Sequence, residues 1–311
     1  VQPVTLMMVQ ETTCDAPLWV IESSAPGRIG PAHALASRFD CSFRRMRDLR
    51  NAETGWRPPR LVLTSGIGAG LAGLALRRRS GVPVVHCSSG RLSATLTGGR
   101  PFDAVILPLM HHTERRSPHI IPVLGPLTIV SAELYKRARR VWTERLEHLP
   151  EPRIAVVLDA GEILTPAEAD AAARHLGLTV QDYRGSVLLS VSEGVPADIA
   201  DTFIGALGDC YKLVWRHGEP DDNPTLGFIG CADTVVVYGG RAATLAETAA
   251  ADMPVFLGSA PGRFGRNNRM ARALIANGYV RVFDSDFSPW PRDPLDEASR
   301  AATLLRTRFD F

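Results

Sequence analysis

Asp233-Thr-Val-Val-Val-Tyr-Gly-Gly-Arg-Ala-Ala-Thr-Leu-Ala-Glu-Thr-Ala-Ala-Ala-Asp-Met-Pro-Val-Phe-Leu257 decides the fold. Thr234 to Tyr238 is a β-branched run of strand length, Gly239-Gly240 punctuates it, and Arg241 to Ala251 has the Ala and Leu content of a helix. Met253 to Leu257 then opens a second strand. The linking segment is too long for a hairpin, so the two strands are expected to be parallel, joined by a helical crossover. Gly240, Thr244 and Glu247 are spaced four and three apart and share one helical stripe that begins at the helix N-terminus. Two glycines there would give open backbone N–H groups and a positive dipole end, which suit a phosphate or diphosphate. Thr244 could add a hydroxyl, and Glu247, one turn deeper, could accept hydrogen bonds from a ribose. The plainer alternative is a tight strand-to-helix turn with a solvated glutamate.

The rest of the chain repeats this alternation. Before it, Leu18-Trp-Val-Ile21, Leu61 to Gly66 ending in a turn, Val82 to His86, Asp103 to Pro108 and Ile120 to Val123 read as strands, with helices at Ala32 to Arg38 and Ala69 to Arg79. Strands apolar on both faces imply parallel sheets covered by helices on both sides. Ser131 to Glu147 reads as a charged helix, and His148-Leu-Pro-Glu-Pro152 as a proline-bracketed break. After the break, Arg153 to Leu158, Gly185 to Ser190, Tyr211 to Trp215 and Tyr279 to Phe283 are strands. The helices there are Thr165 to about His175, Pro196 to Leu207, Asn223 to Ala232, Asn268 to Ala276 and a terminal one at Asp296 to Arg306. The expected organisation is an acceptor-side domain over 1–148, a nucleotide-binding domain over 149–290, and a terminal helix over 291–311 that folds back across the first domain.

The 311 residues suffice for two α/β domains of ordinary size. No apolar run reaches membrane-spanning length, and Leu6 to Val9 is too short and poorly flanked for a signal peptide. Cys14, Cys41, Cys87, Cys210 and Cys231 are scattered without metal-ligand spacing, so reduced thiols in a cytoplasmic protein and no bound metal are expected. Charge is uneven. Residues 1–150 carry 20 Lys+Arg against 11 Asp+Glu, and residues 151–311 carry 15 against 22. The basic clusters Arg44-Arg45, Arg77-Arg78-Arg79, Arg115-Arg116 and Lys136 to Arg140 fit solvated helix faces, an anionic or lipid-linked acceptor, or peripheral contact with the anionic inner face of a membrane. Without interleaved aromatics they make no case for nucleic acid.

Candidate site residues gather where strands end. Gly27 and Gly30 form a loop between a strand and a helix, read as a cleft loop because the spacing is not Gly-x-Gly-x-x-Gly. His111 and His112 follow the Asp103 strand and are candidates for the general base toward an acceptor hydroxyl, or polar loop members; His86 and Ser88-Ser89-Gly90 occupy the equivalent loop after a neighbouring strand. Ser190 and Ser192 end one strand and Arg216-His217 the next, so hydroxyl and cationic contacts to a diphosphate are expected beside Gly239, Gly240, Arg241, Thr244 and Glu247.

Taken together, Trp19 with Gly27 and Gly30, Leu61 to Gly66, Phe102 to Pro108, Gly185 to Ser192, Asp222-Asn-Pro224, Cys231-Ala-Asp233 and the Glu247/Pro254-Val pair resemble the bacterial mitochondrial-fission family, the elongated-mitochondria-like proteins, over most of the chain. That family resembles nucleotide-sugar glycosyltransferases of GT-B type. The resemblance implies two Rossmann-like domains with parallel sheets facing a central cleft, a nucleoside-diphosphate sugar as donor, and no further cofactor. The chain departs from the pattern at three places. Ser192-Glu-Gly-Val-Pro196 stands for Ser-Arg-Arg-Thr-Pro, Tyr238 to Thr244 for Thr-x-Asp-Ser-x-Ser-Met, and Pro108-Leu-Met-His-His112 for Pro-Glu-His-Asp. Two cations expected near phosphate are therefore absent, which keeps open a non-catalytic scaffold for protein or membrane contact. An epimerase of the same architecture would need acidic residues around the sugar.

Overall fold

The computed structural model describes residues 17–22, 29–46, 58–88, 101–109, 118–220, 222–258 and 269–311. They fall into two compact units. One holds the described residues up to Ile129 together with Asp296–Phe311, and the other holds Val130–Leu295.

The first unit carries a six-stranded, fully parallel sheet in the order β2-β1-β3-β4-β5-β6. Its strands are β1 (Leu18–Glu22), β2 (Phe43–Met46), β3 (Leu61–Ser65), β4 (Val84–Cys87), β5 (Ala104–Pro108) and β6 (Ile120–Val123). Helices α1 (Pro31–Ala36) and α2 (Ile67–Ser80) cover opposite faces. Leu18, Val20, Leu61 and Leu63 pack against α1, while Trp19, Ile21, Val62 and Val84 pack on the α2 side. Continuous apolar strands are what burial on both faces requires. Helix α2 stops where Gly81 adopts φ +72 and its N–H donates to Arg77 O. Arg77 itself is held by Asp103 through two 2.8 Å hydrogen bonds.

β2 is an element that sequence patterning passes over. Its middle residues are Arg44 and Arg45, read as a surface cluster, yet Arg44 lies over the Trp19 ring at 5.8 Å and Arg45 approaches Glu22 at 3.8 Å. As the outer strand of the sheet, β2 tolerates long cationic side chains whose stems cover apolar neighbours.

The second unit repeats the plan with the parallel order β12-β11-β10-β7-β8-β9. The strands are β7 (Arg153–Leu158), β8 (Ser186–Val191), β9 (Tyr211–Arg216), β10 (Thr234–Tyr238), β11 (Val255–Gly258) and β12 (Arg281–Val282). The helices are α3 (Ala132–Leu146), α4 (Pro166–Asp182), α5 (Ala197–Ala206), α6 (Thr225–Cys231), α7 (Ala242–Ala249) and α8 (Arg269–Ala276). The parallel pairing of β10 with β11 across α7, Val235 opposite Val255, is the crossover expected from the opening stretch. Helix α4 begins in a capping box between Thr165 and Glu168 and runs seven residues past His175, because Leu176 and Val180 continue its buried stripe.

Helix α3, counted within 1–148 in the sequence reading, packs with this second unit: Gly227 of α6 meets its Trp142 ring, and Gly230 meets the Tyr135 carbonyl. The last helix, α9 (Glu297–Phe309), buries Ala298, Ala301, Ala302 and Leu305 in the core of the first unit. Leu124 N donates to Glu297 Oε2 at 2.8 Å, tying α9 to the end of β6.

Candidate active site

In the second sheet β7 is flanked by β8, its successor through α4, and by β10, reached by a later crossover. The chain leaves the ends of these two strands in opposite directions. This makes the point beyond their carboxyl ends the topological switch of the sheet, where open α/β sheets take their ligands.

β10 ends at Tyr238, and Gly239 turns the chain with φ +64. A Cβ at Gly239 would stand 2.3 Å from the Asp159 carbonyl oxygen and 2.5 Å from that of Glu162. From the facing loop, a Cβ at Gly161 would stand 2.4 Å from Arg241 N. Two loops, 159–162 and 239–241, thus lie backbone on backbone, and only glycine allows the approach. Glu162 N donates to Gly239 O at 3.0 Å and seals the contact.

Helix α7 starts at Ala242, with Arg241 in extended conformation as its N-cap residue. Its own side chain makes no cap. The cap comes from Asp159, the residue after β7, whose side chain is fully buried. Asp159 Oδ2 accepts Arg241 N at 2.7 Å and Thr244 Oγ1 at 2.5 Å. Oδ1 accepts Ala160 N at 2.8 Å and pairs with the Arg241 guanidinium at 2.7 Å. The carboxylate lies where backbone donors and the helix dipole favour negative charge.

Arg241 and Thr244 therefore do converge, but on a carboxylate supplied by the chain itself. The sequence patterns pass over Asp159, whose one signal is a lone acid directly after five apolar strand residues. The stripe holds from Thr244 to Glu247, whereas Gly240 precedes the helix and fits against Leu245 and Val237. Glu247 is half-buried. Its backbone carbonyl accepts the Tyr135 hydroxyl at 3.0 Å, and burial first, then the nearby Glu247 charge, raise the Tyr135 phenol above its ordinary range.

The neighbouring strands contribute unequally. Ser190 lies beside Val157 of β7, and its buried Oγ finds no hydrogen-bond partner among the described residues. Trp215, opposite Ser190 on β9, has a buried Nε1 in the same condition. Ser192 donates its N–H to Leu158 O at 2.9 Å, and the next residue, Glu193, accepts Arg241 Nη2 on its carbonyl at 3.3 Å. Arg216 is turned to α5, where it pairs with Asp201 at 2.7 Å.

In the first sheet β1 occupies the corresponding position, between β2 and β3. Its last residue, Glu22, is buried and accepts Gly30 N and Ala32 N, each at 3.1 Å, at the start of α1. A Cβ at Gly30 would stand 2.2 Å from the Glu22 carboxylate, so this glycine makes room for an internal acid. Gly27, His111, His112 and Ser89-Gly90 lie outside the described residues. His86 is buried on β4, stacked on Phe102 at 4.8 Å with Nδ1 2.9 Å from Thr64 Oγ1, and burial brings its imidazole down to about 4. Among the described residues no group of three or more His, Cys, Asp or Glu could hold a metal ion. None of their helices is long and apolar enough to cross a membrane.

Over residues 8–309 the sequence matches the family described as Mitochondrial fission ELM1. Among solved structures the chain is similar to the UDP-GlcNAc 2-epimerase of Methanocaldococcus jannaschii, with 10% identity, TM-score 0.54, and 93% of this chain and 99% of that one covered. It is also similar to the UDP-GlcNAc 2-epimerase of Neisseria meningitidis bound to UDP-GlcNAc, with 11% identity, TM-score 0.52, and 93% and 91% covered. Acinetobacter baumannii MurG aligns with 12% identity, TM-score 0.45, and 94% and 91% covered. No curated protein matches the sequence. The likeness to the two epimerases shows the fold, a two-domain α/β architecture of GT-B type.

Proposed function

The chain belongs to the Mitochondrial fission ELM1 family, and on that footing we propose that it binds a nucleoside-diphosphate sugar in its second unit and transfers the sugar to an acceptor hydroxyl. The observation that carries this reading is the convergence of Arg241 and Thr244 beyond the carboxyl ends of β7 and β10, with Glu247 one turn further along α7. In it the Arg241 guanidinium, about half exposed, faces the diphosphate, and Glu247 accepts from the ribose hydroxyls. The acceptor oxygen attacks the anomeric carbon as the bond to the phosphate oxygen breaks. The diphosphate leaves with the bonding pair, and a base, for which His111 and His112 are the candidates, takes the acceptor proton. Neither a metal ion nor a further cofactor is needed in this scheme. The acceptor class that the basic first half suits is anionic or lipid-linked.

A thermal-shift panel of nucleoside diphosphates and their sugars tests the reading, with UDP-GlcNAc and UDP first because the Neisseria meningitidis epimerase of related fold is bound to UDP-GlcNAc. Ligand at about a hundredfold over Kd should stabilise by about 2.7 kcal/mol, a rise of a few degrees. Glu247→Ala should abolish it. Release of the free nucleoside diphosphate on turnover would separate transfer from epimerisation.

A second reading draws on Asp159. A carboxylate already holding the helix terminus favours a non-catalytic scaffold that meets a protein or an anionic membrane surface. No shift anywhere in the panel, together with salt-sensitive pelleting on phosphatidylserine vesicles, would support it over the first.

A further inference from the structure

We infer that Asp159 sets the anion affinity of the α7 site: its carboxylate occupies the position that suits a diphosphate, and a nucleotide binds only as far as it displaces that carboxylate. The inference rests on the nucleotide reading above and adds the residue that limits it.

Three observations carry it. First, Asp159 gathers two backbone N–H groups, a hydroxyl and a guanidinium within 2.8 Å, a donor set that would serve a phosphate oxygen equally well. Second, its strongest partner is reachable from solvent. The Arg241 side chain is 49% exposed while Asp159 is fully covered, so an incoming anion can take the guanidinium from the open side. Third, Ser190, one strand over, keeps a buried hydroxyl without a hydrogen-bond partner among the described residues, at the register position next to Val157 and two residues short of Asp159. A second anion placed against an unmoved Asp159 would meet the like charge of a fully buried carboxylate, which suppresses affinity.

The experiment is isothermal titration of the full chain with UDP and, separately, with inorganic pyrophosphate, comparing wild type with Asp159→Asn. Asparagine keeps the shape and removes the charge. The expected result is a gain in affinity of about tenfold or more in the variant, lost again when Arg241→Ala is added. If Asp159→Asn does not fold, Asp159→Ser is read in its place, since serine can still cap one N–H without charge. A gain in binding is a readout that a merely structural role would not produce, because loss of a cap lowers melting temperature and leaves affinity flat or worse. Equal affinity, or weaker binding by the variant, overturns the inference while leaving the nucleotide reading in place. A gain that survives Arg241→Ala overturns it as well, by locating the new binding elsewhere. Absence of binding by wild type and variant to both probes overturns the nucleotide reading and this inference with it.

Discussion

The two units meet the same electrostatic problem at the same point of the sheet and solve it differently. In each, an acid at the carboxyl end of the unit's first strand caps a helix N-terminus and lies near an arginine. Glu22 caps α1, the helix that follows its own strand, with Gly30 and Ala32 only eight and ten residues away. Asp159 reaches across to α7, with Arg241 and Thr244 82 and 85 residues away. The partner of Glu22 is Arg45, 16% exposed on the neighbouring strand, whereas Arg241 is 49% exposed. The first arrangement is a closed local cap. The second clamps a long-range junction and leaves its cation within reach of solvent.

The other ends of these helices extend the parallel. Arg306 of α9 donates to Arg38 O just past α1 and pairs with Asp40. Arg292 donates to the carbonyls of Ala249, Ala251 and Tyr279 at the end of α7. Burial brings the Arg292 guanidinium down to about 10, still charged at neutral pH. Each helix thus has an acid at its positive end and a base at its negative end.

Breaking the caps should separate the units most clearly. Glu22→Ala removes one partner of a buried pair and should cost about 3–5 kcal/mol, while Asp159→Ala, whose arginine can turn to water, should cost about 2 kcal/mol. Urea unfolding fitted as two transitions checks this, and equal losses would erase the distinction between closed and open caps. Acid should find the first unit through His86. Its imidazole titrates near 4 when folded and near 6.5 when unfolded, so only the unfolded chain takes up the proton in between. The stability it contributes is fully present above pH 6.5 and lost as pH falls toward 4, about 3 kcal/mol in all. Melting curves across that window should show the slope, and His86→Gln should flatten it. Arg292→Met should lower the stability of the second unit by about 2 kcal/mol through three carbonyls left without their donor, read by thermal unfolding. Thr244→Val, which deletes one of the contacts to Asp159, should cost about 1 kcal/mol by the same measurement.

The strand-turn-helix-strand reading of 233–257 could be made from residues alone because periodicity and glycine are local signals, and β10, α7 and β11 follow from them. So do the parallel sheets, since strands apolar on both faces admit few other packings. Arg241 and Thr244 were legible as helix-start residues for the same reason: the glycine turn before them is a local signal. Their partner was not legible. Asp159 lies 82 residues from Arg241, and no pattern in sequence says that β7 and β10 become neighbours with their loops backbone on backbone. Likewise Gly30 reads as an opening for a ligand until Glu22 is seen to fill it. Composition and short-range spacing settled where most strands, turns and helix starts fall, the arginine-bearing β2 excepted, because those depend on torsional preference and burial of each segment. Which charge answers which helix dipole was decided only by strand order, because an electrostatic partner is chosen by distance in space and not by distance along the chain.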